Sequence, residues 1–310
     1  MSEEKTPVIA RREKKFKLGI VGHGFVGQAV DYGFSNPMVE KMIVDPKSSP
    51  NTLEDLCGWE PQCVFICAPT PAKDDGSVDA AIVEEAVMKL VNLTDAFIVI
   101  KSTITPDIVD RLMQIDTRIV YHPEFLQEGN HKMGFVNAPF RLVGVNDQSA
   151  SQHLEQLYNV FTICNPAQMI AMSGVEAAMF KYAVNNFLAM KLTFFNQLYD
   201  IIGDYGGNFQ MVARALGADQ RIGHSHKLIP GPDGKRGFGG ACFPKDLDAF
   251  IHFADNKTSV DLKVLKAVRE VNNAIRSQYE PDEREKANNV NYGQTKKKQQ
   301  NKDNGSTESE

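Results

Sequence analysis

Cys242 is the residue in this chain best placed to act as a nucleophile. It lies in Gly237-Phe238-Gly239-Gly240-Ala241-Cys242-Phe243-Pro244-Lys245-Asp246. The thiolate is the reactive form, and a nearby cation favours it. Lys245, three residues on, is such a cation. The glycines let the backbone turn tightly and approach a ligand. The same pattern also suits a glycine turn followed by a buried, inert cysteine. A second pair with chemical potential is Lys181 and Asn185, four residues apart in a long apolar stretch. Helical spacing places them on one face. A lysine there is paired, serves a ligand, or runs its stem along apolar surface to water.

The third group is Gly22-His23-Gly24-Phe25-Val26-Gly27. Lys17–Val21 before it reads as a buried parallel strand, and Gln28–Phe34 after it as a helix. Lys41–Val44 reads as the next strand, ending at Asp45. In this setting the first glycine makes the turn and the second admits a pyrophosphate. The third lets helix pack on strand, with phosphates at the helix N-terminus. An acid at Asp45 suits a ribose diol and favours NAD over NADP, because it repels a 2′-phosphate; Lys47 works the other way.

Further strand–helix units position the remaining candidates. Cys63–Cys67 is a strand leading to Ala68-Pro69-Thr70-Pro71. Asp79 caps a helix through Val91, and Ala96–Ile100 leads to Lys101-Ser102-Thr103. Pro106 suits a first helical turn. Arg118–Tyr121 leads to His122-Pro123-Glu124-Phe125-Leu126-Gln127-Glu128-Gly129. Arg141–Val145 and Gln168–Met172 are two more strands. The alternation predicts an α/β doubly wound sheet, whose ligands bind beyond the C-terminal strand ends. Asp45, Thr70, Ser102, Thr103, Glu124 and Glu128 all fall there and are expected to line one cleft. Val175 to about Gly203 reads as one long buried helix. Phe209–Leu216, Lys245–Ala254 and Leu262–Arg276 read as shorter ones.

Composition narrows the class. The chain has 310 residues, 42% hydrophobic, with a net charge of -5. That allows two domains and gives no broad basic surface for nucleic acid. The five cysteines have no metal-ligand spacing. No leader is recognisable and no apolar run approaches a membrane span, so reduced thiols and a cytoplasmic location are expected. Residues 1–15 read as a charged, disordered arm. From about Glu280 the chain turns polar, and 278–310 is expected to stay unfolded. The expected domains are 16–173, the dinucleotide-binding part, and 174–277, a helical part.

Taken together, the motifs resemble the UDP-glucose/GDP-mannose dehydrogenase family. They run Gly22-x-Gly24-x-x-Gly27, Ala68-Pro69-Thr70-Pro71, Lys101-Ser102-Thr103, Pro123–Glu128, Lys181-x-x-x-Asn185, Arg221-Ile222-Gly223 and Gly239-Gly240-x-Cys242-x-Pro244-Lys245-Asp246, across residues 17–275. The resemblance implies an N-terminal Rossmann-type sheet, a long central helix and a small helical domain that also dimerises. It implies a four-electron, NAD-dependent oxidation of a sugar 6-hydroxyl to a carboxylate, UDP-glucose to UDP-glucuronate. The shared motifs equally admit GDP-mannose or a UDP-N-acetylhexosamine, or a truncated NAD-binding protein without turnover. By similarity Cys242 captures the aldehyde as a thiohemiacetal and then a thioester. Lys181 and Asn185 stabilise the oxyanion, and Glu124 and Glu128 serve as acid/base and positioning carboxylates. Asp246 and Thr103 position water. Gly22, Gly24, Phe25, Val26, Gly27, Asp45, Thr70, Ser102, Thr103 and Lys245 surround the cofactor. Phe125, Leu126, Phe238, Gly239 and Arg221 hold the nucleotide sugar, Arg221 in a homodimer partner's site.

Two departures from the family pattern stand out. A third, C-terminal domain that completes the family's sugar site is expected to be missing, with a polar tail in its place. The loop between Arg221 and Cys242 aligns as longer than usual. Its Lys235 and Arg236 are expected to contact phosphate.

Overall fold

The computed structural model describes residues 14–126 and 129–293. The arm expected over 1–15 therefore lies outside the described residues except for Lys14 and Lys15, and so does Glu128. The chain divides into two compact units. Of the described residues, those within 14–68, 83–102 and 112–173 form the first, and those within 69–82, 103–111 and 174–293 the second. The expected single boundary at 173/174 is thus corrected: two earlier excursions of the chain, 69–82 and 103–111, belong to the second unit.

The first unit is built from β1 (Phe16–Val21), α1 (Phe25–Gly33), β2 (Val39–Val44), α2 (Leu53–Gly58), β3 (Cys63–Ile66), α3 (Ala81–Leu93), β4 (Phe97–Ile100), the end of α4 (Pro106–Met113), β5 (Ile119–Tyr121), α5 (His131–Val136), β6 (Phe140–Gly144), α6 (Gln148–Phe161) and β7 (Gln168–Met172); the first two residues of α3, and α4 as far as Arg111, belong to the second unit. Among the described residues the sheet order is β2-β1-β3-β4-β5-β6-β7. β3, β4 and β5 are entirely buried, so these short runs are continuously apolar rather than alternating. β1 lies parallel to both β2 and β3, so the connections leave it in opposite directions. That switch point opens a crevice at its C-terminal end, where Gly22 stands. β6 runs antiparallel to β5 and is held by the Tyr121–Gly144 pair, and β7 lies parallel to β6.

The second unit centres on α7 (Gly174–Asp204), a 31-residue helix about 46 Å long. Around it stand α8 (Phe209–Ala218), α9 (Phe243–Lys257), α10 (Lys263–Arg276) and α11 (Glu283–Ala287). Ala189, Phe238, Leu247, Ile251 and Val268 form one buried cluster. Val78, Tyr182 and Ala249 form another, with Ile108 and Phe250 against it. This cluster is why residues 69–82 and 103–111 join the second unit. No helix among the described residues is long and apolar enough to cross a membrane.

The expectation of an unfolded tail from residue 278 is corrected as far as Gly293. Asp282 caps α11 through a capping box with Glu285. Glu285 is fully buried and Tyr292 nearly so. Caps and a buried ion pair order this segment, not apolar area, so its polar composition gave no sign of folding.

His122, just past β5, is buried between β6 and α6. Its Nδ1 is 2.6 Å from the Leu142 carbonyl and its Nε2 is 2.9 Å from the Tyr158 hydroxyl. Burial pushes its pKa well below 6.5, and the charge of Lys101 adds to this. A folded state that keeps this histidine neutral loses stability as the pH falls through the unfolded value. Thermal midpoints should therefore decline between pH 7.5 and 5.5, roughly the range around an unperturbed histidine, and a His122→Gln chain should show a flatter profile.

Candidate functional site

The candidate residues divide between the two units. In the first, β1 delivers the chain to Gly22, which has φ +87° and would bring a Cβ within 2.7 Å of the Cys67 carbonyl oxygen. A Cβ on Gly27 would collide with the Gly22 carbonyl. Gly24 is the opposite case: it is exposed, with nothing within 4 Å of where a Cβ would stand. It is also the N-cap of α1 and supplies no side-chain hydrogen bond to the first turn. Two glycines are thus required by packing and one leaves room at a helix start. The residues fit a dinucleotide pyrophosphate.

Asp45 follows β2 directly. Its Oδ2 accepts from the His23 N–H at 2.8 Å, and its Oδ1 accepts from the N–H groups of Lys47 at 2.9 Å and Ser48 at 3.1 Å. Partial burial raises the carboxyl pKa, but the backbone donors of His23 and Lys47 and the Ser48 donors outweigh it. The net position is below the ordinary value, so Asp45 is ionised at neutral pH. Ser102 is buried and its hydroxyl donates to the Ala68 carbonyl at 2.7 Å, tying β4 to the end of β3. Lys101 is 2% exposed and its Nζ lies 2.9 Å from Glu124 Oε2. Glu124 Oε1 accepts from the Phe125 N–H at 2.9 Å. Phe125 stacks at a tilt on Phe140, and Leu126 packs on the core of this unit.

In the second unit, Thr70 Oγ1 donates to the Thr103 carbonyl at 2.9 Å, which brings two candidates together. Lys181 and Asn185 lie one turn apart on α7, both buried, with Nζ 3.5 Å from Asn185 Oδ1. Asn185 Nδ2 donates to Asp246 Oδ2 at 2.6 Å. Lys245 Nζ donates to Asp246 Oδ1 at 2.7 Å. Four of the residues singled out by sequence therefore form one buried chain, Lys181–Asn185–Asp246–Lys245. Asp246 is in the first turn of α9, and Cys242 is its exposed N-cap. The partial positive charge of a helix start favours an anion at that place.

Phe238 is 3% exposed and its side chain lies in the core. Its N–H donates to Asn272 Oδ1 at 2.7 Å and its carbonyl accepts from Asn272 Nδ2 at 3.0 Å. Its role in this structure is to anchor the loop. A Cβ on Gly239 would collide with Arg276 and Glu285. Arg221 is 89% exposed along its side chain and pairs with Asp219. Lys235 and Arg236, expected to contact phosphate, have partners within the chain. Lys235 Nζ donates to the Glu280 carbonyl at 2.7 Å, and Arg236 pairs with Asp200 at 2.6 Å. Both cations are engaged within the chain.

Sequence reasoning passed over Lys101 as a site residue, although it quoted the motif, and missed Asn196, Asn272, Arg276 and Glu285. Asn272 falls four residues after Val268 on the inner face of α10, a polar residue at an apolar helical position. The Asp282-x-x-Glu285 capping box was the available signal for the last.

The model of the UDP-glucose/GDP-mannose dehydrogenase family central domain matches residues 175–274, and that of the family's NAD binding domain matches residues 59–162. A UDP-glucose 6-dehydrogenase of Rickettsia felis is 35% identical over 216 residues, 67% of this chain and 46% of the relative. One of Bacillus subtilis is 33% identical over 221 residues, 68% of this chain and 48% of the relative. The chain thus spans about half the length of these curated relatives. The structure of a UDP-glucose dehydrogenase from Pyrobaculum islandicum superposes with a TM-score of 0.72 at 26% identity, over 86% of this chain and 70% of that one.

The glycine geometry separates binding from folding. Gly24→Ala should leave the thermal midpoint unchanged while weakening NAD binding at least about tenfold in a calorimetric titration. Gly27→Ala should lower the midpoint itself, because its Cβ meets backbone.

Proposed function

Because the chain belongs to the UDP-glucose/GDP-mannose dehydrogenase family, we propose that it oxidises the 6-hydroxyl of a nucleotide sugar to a carboxylate with NAD, UDP-glucose to UDP-glucuronate being the first assignment. The observation that carries this reading is the buried Lys181–Asn185–Asp246–Lys245 chain in the unit that also places Cys242 at the start of α9. When bound, NAD accepts the hydride in each of two successive oxidations. Gly22, Gly24 and Gly27 shape its phosphate site and ionised Asp45 accepts hydroxyl hydrogen bonds.

Cys242 captures the aldehyde left by the first oxidation. Its sulfur forms a bond to the carbonyl carbon as the carbonyl electron pair moves to oxygen. The Lys181 ammonium and the Asn185 amide stabilise that oxyanion. The second oxidation leaves a thioester. Asp246 holds a water and takes up its proton as it attacks, and the C–S bond breaks to restore the thiolate. Covalent capture keeps the aldehyde from leaving between the two steps. Glu124 and Glu128 are assigned the remaining proton transfers and the positioning of the sugar.

Two further assignments accompany this reading. Phe187, Phe194 and Ile201 are more than half exposed and recur every seven residues along α7. Such an apolar stripe suits a second copy of the chain, in which exposed Arg221 would serve the partner. All five cysteines are unpaired, which suits the reducing cytoplasm.

The test is NADH formation with UDP-glucose at saturating NAD. Two NADH per sugar are expected, and Cys242→Ser should lose complete oxidation by at least about a thousandfold. Absence of NADH with UDP-glucose, GDP-mannose and UDP-N-acetylhexosamines, despite NAD binding, would overturn the reading. Light scattering should report a dimer, dissociated by Phe194→Glu.

A further inference from the structure

The loop that carries Cys242 has few side chains of its own to hold it. Gly237 and Gly240 adopt φ +72° and +78°, and Gly239 sits where no Cβ fits. Its hold comes from elsewhere in the second unit. Asn196 Oδ1 accepts from the Gly237 N–H at 2.9 Å, and Asn272 brackets Phe238. Glu285 ties the residue two before the cysteine. Its Oε1 accepts from the Gly240 N–H at 3.1 Å, from Arg276 Nη2 at 2.7 Å and from the Tyr292 hydroxyl at 2.7 Å. Its Oε2 accepts from the Asp282 N–H at 2.8 Å. Arg276 in turn binds Asp233 at 2.7 Å, at the other end of the same loop. The segment after α11 also reaches residue 72: the Ala72 N–H donates to the Asn288 carbonyl, and Asn289 Nδ2 to the Ala72 carbonyl, each at 3.1 Å.

We propose that Glu285 is a positioning residue for Cys242, acting through the Gly240 amide two residues before it. The carboxylate is the common acceptor that sets Gly240 against α10 and α11. Arg276 supplies the countercharge that lets it stay buried, and Tyr292 limits its rotation. The Asn288–Asn289 turn sets the Thr70 loop against the same segment. Residues 282–292 are thus a strap over two loops of the second unit that carry candidate residues. The inference rests on the reading of Cys242 as nucleophile.

The experiment compares the wild type with Glu285→Gln, Tyr292→Phe and Lys286→Ala in the full chain. Three readouts are kinetics, alkylation of Cys242 by iodoacetamide followed by mass spectrometry, and deuterium exchange of the loop amides. Cys242 is the exposed cysteine and the other four are buried or half-buried, so its alkylation is separable. Glu285→Gln and Tyr292→Phe should lower kcat roughly tenfold with KM for the nucleotide sugar within about twofold, change the alkylation rate at least about threefold and speed Gly240 exchange. Lys286→Ala, on the exposed face of α11, should match wild type in all three. A lower melting midpoint with unchanged kcat, alkylation and exchange would overturn the positioning role and leave Glu285 a stability residue only. If wild type makes no NADH, or Cys242→Ser keeps full turnover, the nucleophile reading fails instead. Alkylation and exchange then still decide whether Glu285 sets the loop.

Discussion

Glycine brings no side chain with which to hold itself, and both chemically important turns in this protein are glycine-rich. Each unit meets that constraint differently. In the first, sterics suffice: Gly22 and Gly27 are pressed against backbone, and β1, α1 and β3 leave the turn one shape. In the second, polar side chains borrowed from α7, α10 and α11 satisfy the loop's N–H and carbonyl groups one by one. A buried backbone amide without a partner costs on the order of 1–3 kcal/mol, so this arrangement is as binding as the steric one.

Buried charge follows from the same need. Lys101–Glu124, Lys245–Asp246 and Arg276–Glu285 are close ion pairs with at least one member almost fully buried. Each stands beside a segment carrying candidate residues. Breaking a buried pair by removing one partner typically costs about 3–5 kcal/mol, whereas replacing both by apolar groups is often neutral. Such pairs are therefore poor stability devices and good positioning devices. For Glu285, burial raises the carboxyl while the Tyr292 hydroxyl and the Asp282, Arg276 and Gly240 donors outweigh it. The node keeps its charge until the pH falls below the ordinary glutamate range.

Much of this was readable from the chain. The apolar runs at Ile20, Val64 and Val99 and the glycine spacing at 22–27 pointed to the sheet and its turn, because strand burial and helix packing leave local, periodic traces. Lys181 and Asn185 could be placed on one face for the same reason. What was not readable depends on contacts between segments distant in the chain. Nothing near Val78 or Ile108 says that they pack with Tyr182 and Ala249. Nothing in the composition of 278–293 says that Glu285 meets a glycine 45 residues away. Lys235 and Arg236 looked like spare cations because their partners, Glu280 and Asp200, are remote in sequence. Polar-for-polar satisfaction has no period, so pattern reading does not see it.

The reversal of β6 has a consequence for chain routing. A strand parallel to β5 would have to begin at the opposite edge of the sheet, and residues 122–139 would have to travel back across it. Because β6 is antiparallel, that stretch leaves and re-enters at the same edge. Its first turn runs out alongside β6: His122 meets Leu142, and Phe125 meets Phe140. β6, paired along its whole length with β7, runs past the end of β5 and props the Glu124 segment there. Within the returning stretch α5 buries Phe135 and Val136 in the core, and the Phe135 ring lies under Lys101, the partner of Glu124, so the segment that brings the chain back to β6 also supports the carboxylate.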